Sequence, residues 1–318
     1  MNTPYRILLS VLLALVLVPW TPARAADPPQ LRIGYQKASA ELVLARQHRL
    51  LEKRFPNTRI RWVEFPAGPQ LLEALNIGSI DLGGTGDIPP LFAQAAGADL
   101  AYVGWTPPTP QAETILVPKA SPIRSVAQLK GKRVAFQKGS SSHNLLLRAL
   151  ARAGLGMRDI RPVYLSPADA RAAFAAGQID AWAIWDPWYS MLELQGAARL
   201  LANGEGLGLT GNFVLAPRRY AQANAGFVRQ VLEELNRAGA LVQSDPAGSA
   251  KLLAQASGLP LAVVAQTFRH RPPTRLQPLT PQVVAAQQRT ADLFLRNGLL
   301  PRPVRVAPAV WPPLPAPR

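Results

Sequence analysis

An internal echo constrains this chain more tightly than any other feature of its sequence. Leu75-Asn-Ile-Gly78-Ser-Ile80-Asp81-Leu82, followed by Gly86-Asp87-Ile-Pro89, can be laid over Phe174-Ala-Ala-Gly177-Gln-Ile179-Asp180-Ala181, followed by Trp185-Asp186-Pro187. The Gly, the Ile and both Asp coincide at a constant offset of 99 residues. Each copy reads as a helix closed by Gly, a short buried strand, and an Asp opening the next helix beside a Pro. Such a unit present twice predicts an α/β chain of two similar lobes, not one continuous sheet.

The rest of the chain keeps that rhythm. Strand patterns at Leu31–Tyr35, Arg59–Phe65, Ile80–Leu82, Ala101–Val103, Thr114–Val117, Arg133–Phe136 and Ile160–Tyr164 alternate with helical spacing at Glu41–Arg54, Gln70–Ile77 and Asn144–Ala153. This alternation predicts mixed, mostly parallel sheets flanked by helices. Residues 221–297 are mostly helical in pattern. Ile115–Lys119 and Phe213–Arg218 are both strands that stop at a Pro followed by a basic residue. They bracket about one lobe's length, and predict a hinge of two crossover strands beside a cleft that closes on a ligand. The expected division is 26–117 with 218–300 as lobe 1 and 118–217 as lobe 2. Residues 301–318, with seven prolines, form a tail that wraps or dangles.

Ahead of the first lobe, Arg6 precedes the 14-residue run Ile7–Trp20, broken by Ser10 and Pro19, and Ala23-Arg24-Ala25 follows as a small-x-small pattern. Residues 1–25 are therefore expected to be a cleaved signal peptide, too short to span a membrane, and the product is expected to be exported and soluble. The 318 residues include no cysteine, which excludes disulfides, thiolate metal sites, a cysteine nucleophile and a lipid-anchored N-terminal Cys. The three His (His48, His143, His270) are scattered without a metal-binding spacing, so no metal and no cofactor are expected. The net charge of +16 is dispersed and lacks the aromatic-laced basic stripe of a nucleic-acid surface. A diffuse positive field suits the capture of small anions.

In open parallel sheets, ligands sit beyond the carboxyl ends of the strands, near helix N-termini. Lys138-Gly139-Ser140-Ser141-Ser142-His143-Asn144 occupies such a place, after one strand and before a helix. Glycine allows close backbone approach, the first helical N–H groups point outward with about half a positive charge, and hydroxyls add donors. Ser140, Ser141 and Ser142 read as an anion cradle. His143 stands beside them, its place in the first helical turn also fitting a locally satisfied residue. The loop lacks the Lys-Ser/Thr of a phosphate-binding loop and the Gly-x-Ser-x-Gly of a nucleophile elbow. Gly83-Gly-Thr85-Gly86-Asp87 makes the corresponding turn in the other lobe, with Thr85 and Gly86 as contacts. Asp87 and Asp186 read foremost as helix caps, since a carboxylate facing an anion repels it; Asp186 also stands next to the second turn. Trp182 reads as core, Trp185 as an apolar wall, and Gln36, just after the first strand, as a donor into the cleft. The cradle so read consists of donors only, without Lys or Arg.

At these residues the chain resembles the periplasmic aliphatic sulfonate-binding proteins, receptors of ABC-type importers within the wider nitrate/sulfonate/taurine group. The segments that carry the resemblance are Leu31–Lys37, Trp62–Gln70, Ser79–Pro90, Phe136–Asn144 and Asp180–Pro187. The resemblance implies a two-lobed, type II-like periplasmic binding protein without catalytic activity, a monomer serving an inner-membrane permease. It implies that the alkanesulfonate anion is held by Thr85, Gly86 and the Ser140–His143 loop, with Gln36 and Trp185 nearby. Taurine, nitrate or a pyrimidine as cargo, and an enzyme on the same fold, are the alternatives. Taurine wants an acid facing its ammonium, nitrate makes little use of Trp185, and neither loop pairs an acid with a base.

Overall fold

The structure is a computed structural model and describes residues 27–272 and 274–311. The expected signal peptide and Pro312–Arg318 lie outside the described residues. Two five-stranded sheets share no strand. The first contains β1 (Gln30–Tyr35), β2 (Arg59–Glu64), β3 (Leu82–Gly86) and β4 (Leu100–Thr106). The second contains β5 (Glu113–Pro118), β6 (Arg133–Phe136), β7 (Arg161–Tyr164), β8 (Ala181–Trp185) and β9 (Ala198–Asn203). The chain then returns to the first sheet as β10 (Asn212–Pro217). The orders β2-β1-β3-β10-β4 and β7-β6-β8-β5-β9 are one topology used twice. Each sheet has three parallel strands and one antiparallel strand that has crossed from the other lobe, then an edge strand.

The echo rests on an ion pair repeated in both sheets. The Arg32 backbone N–H (2.8 Å), Nε (2.9 Å) and Nη2 (2.6 Å) all donate to the Asp81 carboxylate. Arg133 donates to Asp180 from the same three groups, at 2.7, 3.2 and 2.9 Å. The pairs tie β1 to the start of β3 and β6 to the start of β8, and the Arg133 guanidinium holds the Asp180 carboxyl below its usual range.

The crossing points differ from the expected ones. Glu113–Pro118, placed by the sequence reading in lobe 1 through residue 117, pairs only with β8 and β9 of the second sheet. Asn212–Pro217, expected to close lobe 2, lies between β3 and β4. Pro118 and Pro217 thus end strands within a sheet, and the chain passes between lobes at 107–112 and 204–211. The first passage is stiffened by Pro107, Pro108 and Pro110, while the second carries Gly204, Gly206, Gly208 and Gly211.

Strand alternation divides the side chains between the two faces of each sheet. In the first, Leu31, Ile33, Val214 and Ala216 face a core with α1 (Ala40–Gln47), α2 (Leu50–Arg54) and the later helices α8 (Arg218–Ala223), α9 (Ala225–Ser244), α10 (Pro246–Ser257) and α11 (Leu261–His270). Phe213, Leu215 and Tyr102 face the opposite core, with α3 (Gly68–Asn76), α4 (Pro89–Ala95) and α12 (Pro281–Arg296). In the second sheet, Val134, Phe136, Ala181 and Ala183 meet α5 (Ser141–Arg152), while Trp182 and Ile184 meet α6 (Pro167–Ala175) and α7 (Trp188–Leu194). Burying one such Leu, Ile or Phe contributes about 1.5–3 kcal/mol. The tail wraps rather than dangles as far as it is described. Val306 and Val310 are buried, and Trp311 donates its N–H to Tyr102 O (2.9 Å) at the β4 edge. Among the described residues no helix is long and apolar enough to cross a membrane.

Candidate functional site

The lobes enclose a cavity of about 70 Å³ where the carboxyl ends of β1, β3 and β8 meet the start of α5. It has room for a handful of water-sized groups. Gln36, Thr85, Gly86, Ser140, Ser141 and Trp185 line it. Gln36 Nε2 donates to Gly84 O (3.2 Å), which fixes the loop after β1 against the β3 turn. Thr85 Oγ1 is buried and has no hydrogen-bond partner. Gly68 presses on it from α3, where an added Cβ would lie 1.9 Å from that oxygen. Gly86 meets Ser141 across the lobes, with a Cβ on Gly86 falling 2.9 Å from the Ser141 Cβ. Ser140 Oγ donates to Gln137 O (2.7 Å) and shares a hydrogen with Ser142 Oγ (2.8 Å). At the start of α5 the N–H groups of Ser141 and Ser142 have no intrahelical acceptor, whereas His143 N–H is bonded to Ser140 O (3.1 Å).

Three of the residues selected from the sequence do not line the cavity. Ser142 is buried behind Ser140 and braces it. His143 is fully buried on the far face of α5, packed by Phe136 (ring centroids 4.8 Å apart), Phe294 (5.1 Å) and Phe92 (6.4 Å). Its Nδ1 accepts from Gly139 N–H (3.3 Å), and burial, aided by the Lys138 charge, pushes its pKa down to about 4. It is a neutral core residue there. Asp186 is not the N-cap of α7, which is Pro187, but from one residue earlier its Oδ1 accepts from Ser190 N–H (2.8 Å) and Ser190 Oγ (2.6 Å) in the first turn, and its Oδ2 meets His270 Nδ1 (2.9 Å) from α11.

Asp87 does not cap the helix that follows it, whose N-cap is Ile88. It is buried, and its Oδ2 accepts from Asn144 Nδ2 (2.7 Å) on α5 and from Thr210 N–H (3.4 Å) in the crossing segment. Contacts from α5 and the crossing segment hold this carboxylate, and burial pushes it up to about 6.

The cavity also holds charges that the donors-only reading lacked. Glu41, Glu113 and Arg271 line it, together with Asn212 and Gly68. Glu113 opens β5 opposite Trp185, and only the pairing of β5 with β8 brings it there. Arg271 reaches the site from beyond α11 and anchors through Nη1 to Ala38 O (2.8 Å). Neither carries a local motif, and the Glu before an apolar strand was the only visible cue. Outward of Trp185 the cleft widens into a second chamber of about 710 Å³, lined by Phe65, Pro66, Trp188, Met191, Leu194 and Leu259 among others. A small enclosed anion-sized pocket thus leads into a larger apolar one.

The profile of the family described as NMT1/THI5 like matches residues 63–249. A curated aliphatic sulfonates-binding protein of Escherichia coli (strain K12) is 59% identical over 291 residues, covering 92% of this chain and 91% of its own length. The alkanesulfonate-binding protein of Xanthomonas axonopodis pv. citri, solved bound to MOPS, superposes with a TM-score of 0.89 at 73% identity, covering 90% of this chain and 99% of that one. The crystal structure of the periplasmic aliphatic sulphonate binding protein from Escherichia coli gives 0.84 at 58% identity, covering 92% and 95%.

Proposed function

This chain belongs to the NMT1/THI5 like family and, within it, to the aliphatic sulfonate-binding proteins, and from that premise we propose that it captures an alkanesulfonate anion in the periplasm and delivers it to an ABC importer. The observation that carries the reading is the enclosed cavity in which donors from both lobes converge, with Thr85 Oγ1 buried and unpartnered at its wall. A sulfonate has no proton at neutral pH and offers three acceptor oxygens. Thr85 Oγ1, the Gly86 backbone, Ser141 and the first turn of α5 supply hydrogens from opposite sides, so the anion is satisfied only when the lobes are together, while Ser140 keeps its hydrogen on Gln137 O. Charge-assisted hydrogen bonds contribute roughly 1.5–3 kcal/mol each. Four or five of them, less the entropy of association, reach the roughly −8 kcal/mol of micromolar binding. The organic part of the ligand then passes Trp185 into the apolar chamber. No bond is made or broken, so reopening releases the cargo unchanged to the permease.

Thermal-shift screening of ligand-stripped protein against ethanesulfonate, butanesulfonate, taurine, sulfate, nitrate and pyrimidines tests the reading. A rise in melting temperature confined to sulfonates, with micromolar calorimetry, is the expected result. A flat response to every sulfonate beside a shift for a heterocycle overturns it. In the same assay, joint replacement of Ser140, Ser141 and Ser142 by Ala is expected to weaken binding tenfold or more and to lower the unliganded melting point by several degrees, because the buried Ser140–Ser142 and Ser140–Gln137 bonds are lost. An unaltered affinity removes the loop from the site.

A further inference from the structure

Two of the charged residues at the cavity carry a buried atom without a partner, Glu113 Oε2 and Arg271 Nε. Glu113 is 8% exposed and faces the same space as Ser141 and Trp185. An ionised carboxylate in this place repels a sulfonate across a short distance in a medium poor in water. A protonated carboxyl supplies what a sulfonate lacks, a hydrogen for an oxygen that the serines and the α5 terminus leave free.

We propose that Glu113 keeps its carboxyl proton at neutral pH and donates it to an oxygen of the bound anion, so that sulfonate capture and protonation of Glu113 are linked. The inference rests on the sulfonate reading above. Every charged neighbour bears on it. Burial pushes Glu113 up to about 8, and Asp87, of like sign across from it in the β3–α4 turn, adds to the effect. Arg271, from beyond α11, and the Ser141 hydroxyl, from the start of α5, act in the opposite sense. Half-buried Glu41 on α1 is raised by desolvation of its carboxyl and faces Arg271 as well. Asp186, the next carboxylate after β8, is already occupied by Ser190 and His270. Below pH 8 the free protein already holds the proton, and affinity is insensitive to pH. Above it, the free protein loses the proton while the complex retains it, so affinity falls toward tenfold per pH unit and binding takes a proton from solution.

Calorimetry of ligand-stripped protein with ethanesulfonate in Tris and in borate, both free of sulfonate, measures the linkage. The expected result is uptake of close to one proton per ligand at pH 9, almost none at pH 7, and a Kd about tenfold weaker at pH 9 than at pH 7. Glu113→Gln retains a donor but nothing that titrates. It is expected to bind about threefold more weakly than wild type at pH 7 and more tightly than wild type at pH 9.5, with no proton uptake. A wild-type Kd that is constant from pH 7 to 9.5, or a slope that survives in Glu113→Gln, overturns the proposal while leaving the receptor reading intact. So does an affinity for taurine that rises with pH between 7 and 8.5, which marks Glu113 as a carboxylate facing the ammonium. Absence of binding by any sulfonate at pH 7 overturns the reading beneath it.

Discussion

Replacing Gly86 by Ala is expected to weaken sulfonate binding at least tenfold while leaving the unliganded melting temperature almost unchanged. The new Cβ falls 2.9 Å from the Ser141 Cβ, across from one lobe to the other, a contact that opening about a hinge relieves. Overpacking of this kind costs about 1–3 kcal/mol, and here the closed state alone bears it. Gly68→Ala places a Cβ 1.9 Å from Thr85 Oγ1 and 2.5 Å from the Pro89 ring, all within the first lobe. It strains open and closed forms alike, so its melting temperature is expected to drop by several degrees, at roughly 2–4 °C per kcal/mol for a chain of this order, and its affinity by about 100-fold as Thr85 is displaced. A double variant Gly86→Ala/Ser141→Gly separates sterics from chemistry. If the clash is the cause, the two changes are strongly non-additive by calorimetry; plain additivity contradicts it.

Acid is expected to destabilise the protein through His143 by about 3 kcal/mol between pH 6.5 and pH 4. The unfolded chain takes up a proton near 6.5, whereas the folded imidazole, with burial as the main cause and Lys138 as the second, holds off until about 4. Stability from burying the neutral ring is therefore complete above pH 6.5 and is lost as pH falls toward the folded value. His143→Asn keeps an acceptor for Gly139 N–H and has no proton to take. Urea unfolding of the two proteins at pH 7 and pH 4.5 is expected to show a smaller acid loss in the variant by roughly 2–3 kcal/mol, whatever its baseline. Equal losses in both would mean that His143 is hydrated and titrates normally. Affinity for sulfonate, measured from pH 8 to 5.5, is not expected to follow His143, which lies behind the helix and not at the cavity.

Much of the cavity lining was legible because its parts are local. A strand end, a Gly or Ser turn and a helix start are consecutive in sequence, so Thr85, Gly86, Ser140 and Ser141 were nominated by their immediate neighbours, and all four line the cavity. Trp185 and Gln36 followed from standing at strand ends. The same local logic misplaced His143 and Ser142, because consecutive residues in a first helical turn point to different faces, and the sequence does not say which face the partner lobe covers. It also assigned Asp87 to a cap. The carboxylate instead accepts from Asn144 of the other lobe, a residue that shares no sequence neighbourhood with it.

The repeated unit was readable in the sequence: the 99-residue offset and the alternating strands follow from hydrophobic period and glycine placement within short spans. Everything that depends on which strand lies beside which, the two Arg–Asp ties included, was settled by the fold alone. The crossings at 107–112 and 204–211, the delivery of Glu113 to Trp185, and the arrival of Arg271 at Ala38 from 233 residues away are of this kind. Side chains brought together by sheet order and by the packing of the two lobes share no sequence neighbourhood. Their burial, and with it the charge state of Glu113 and Asp87, is set by surfaces that exist only after the two lobes have packed.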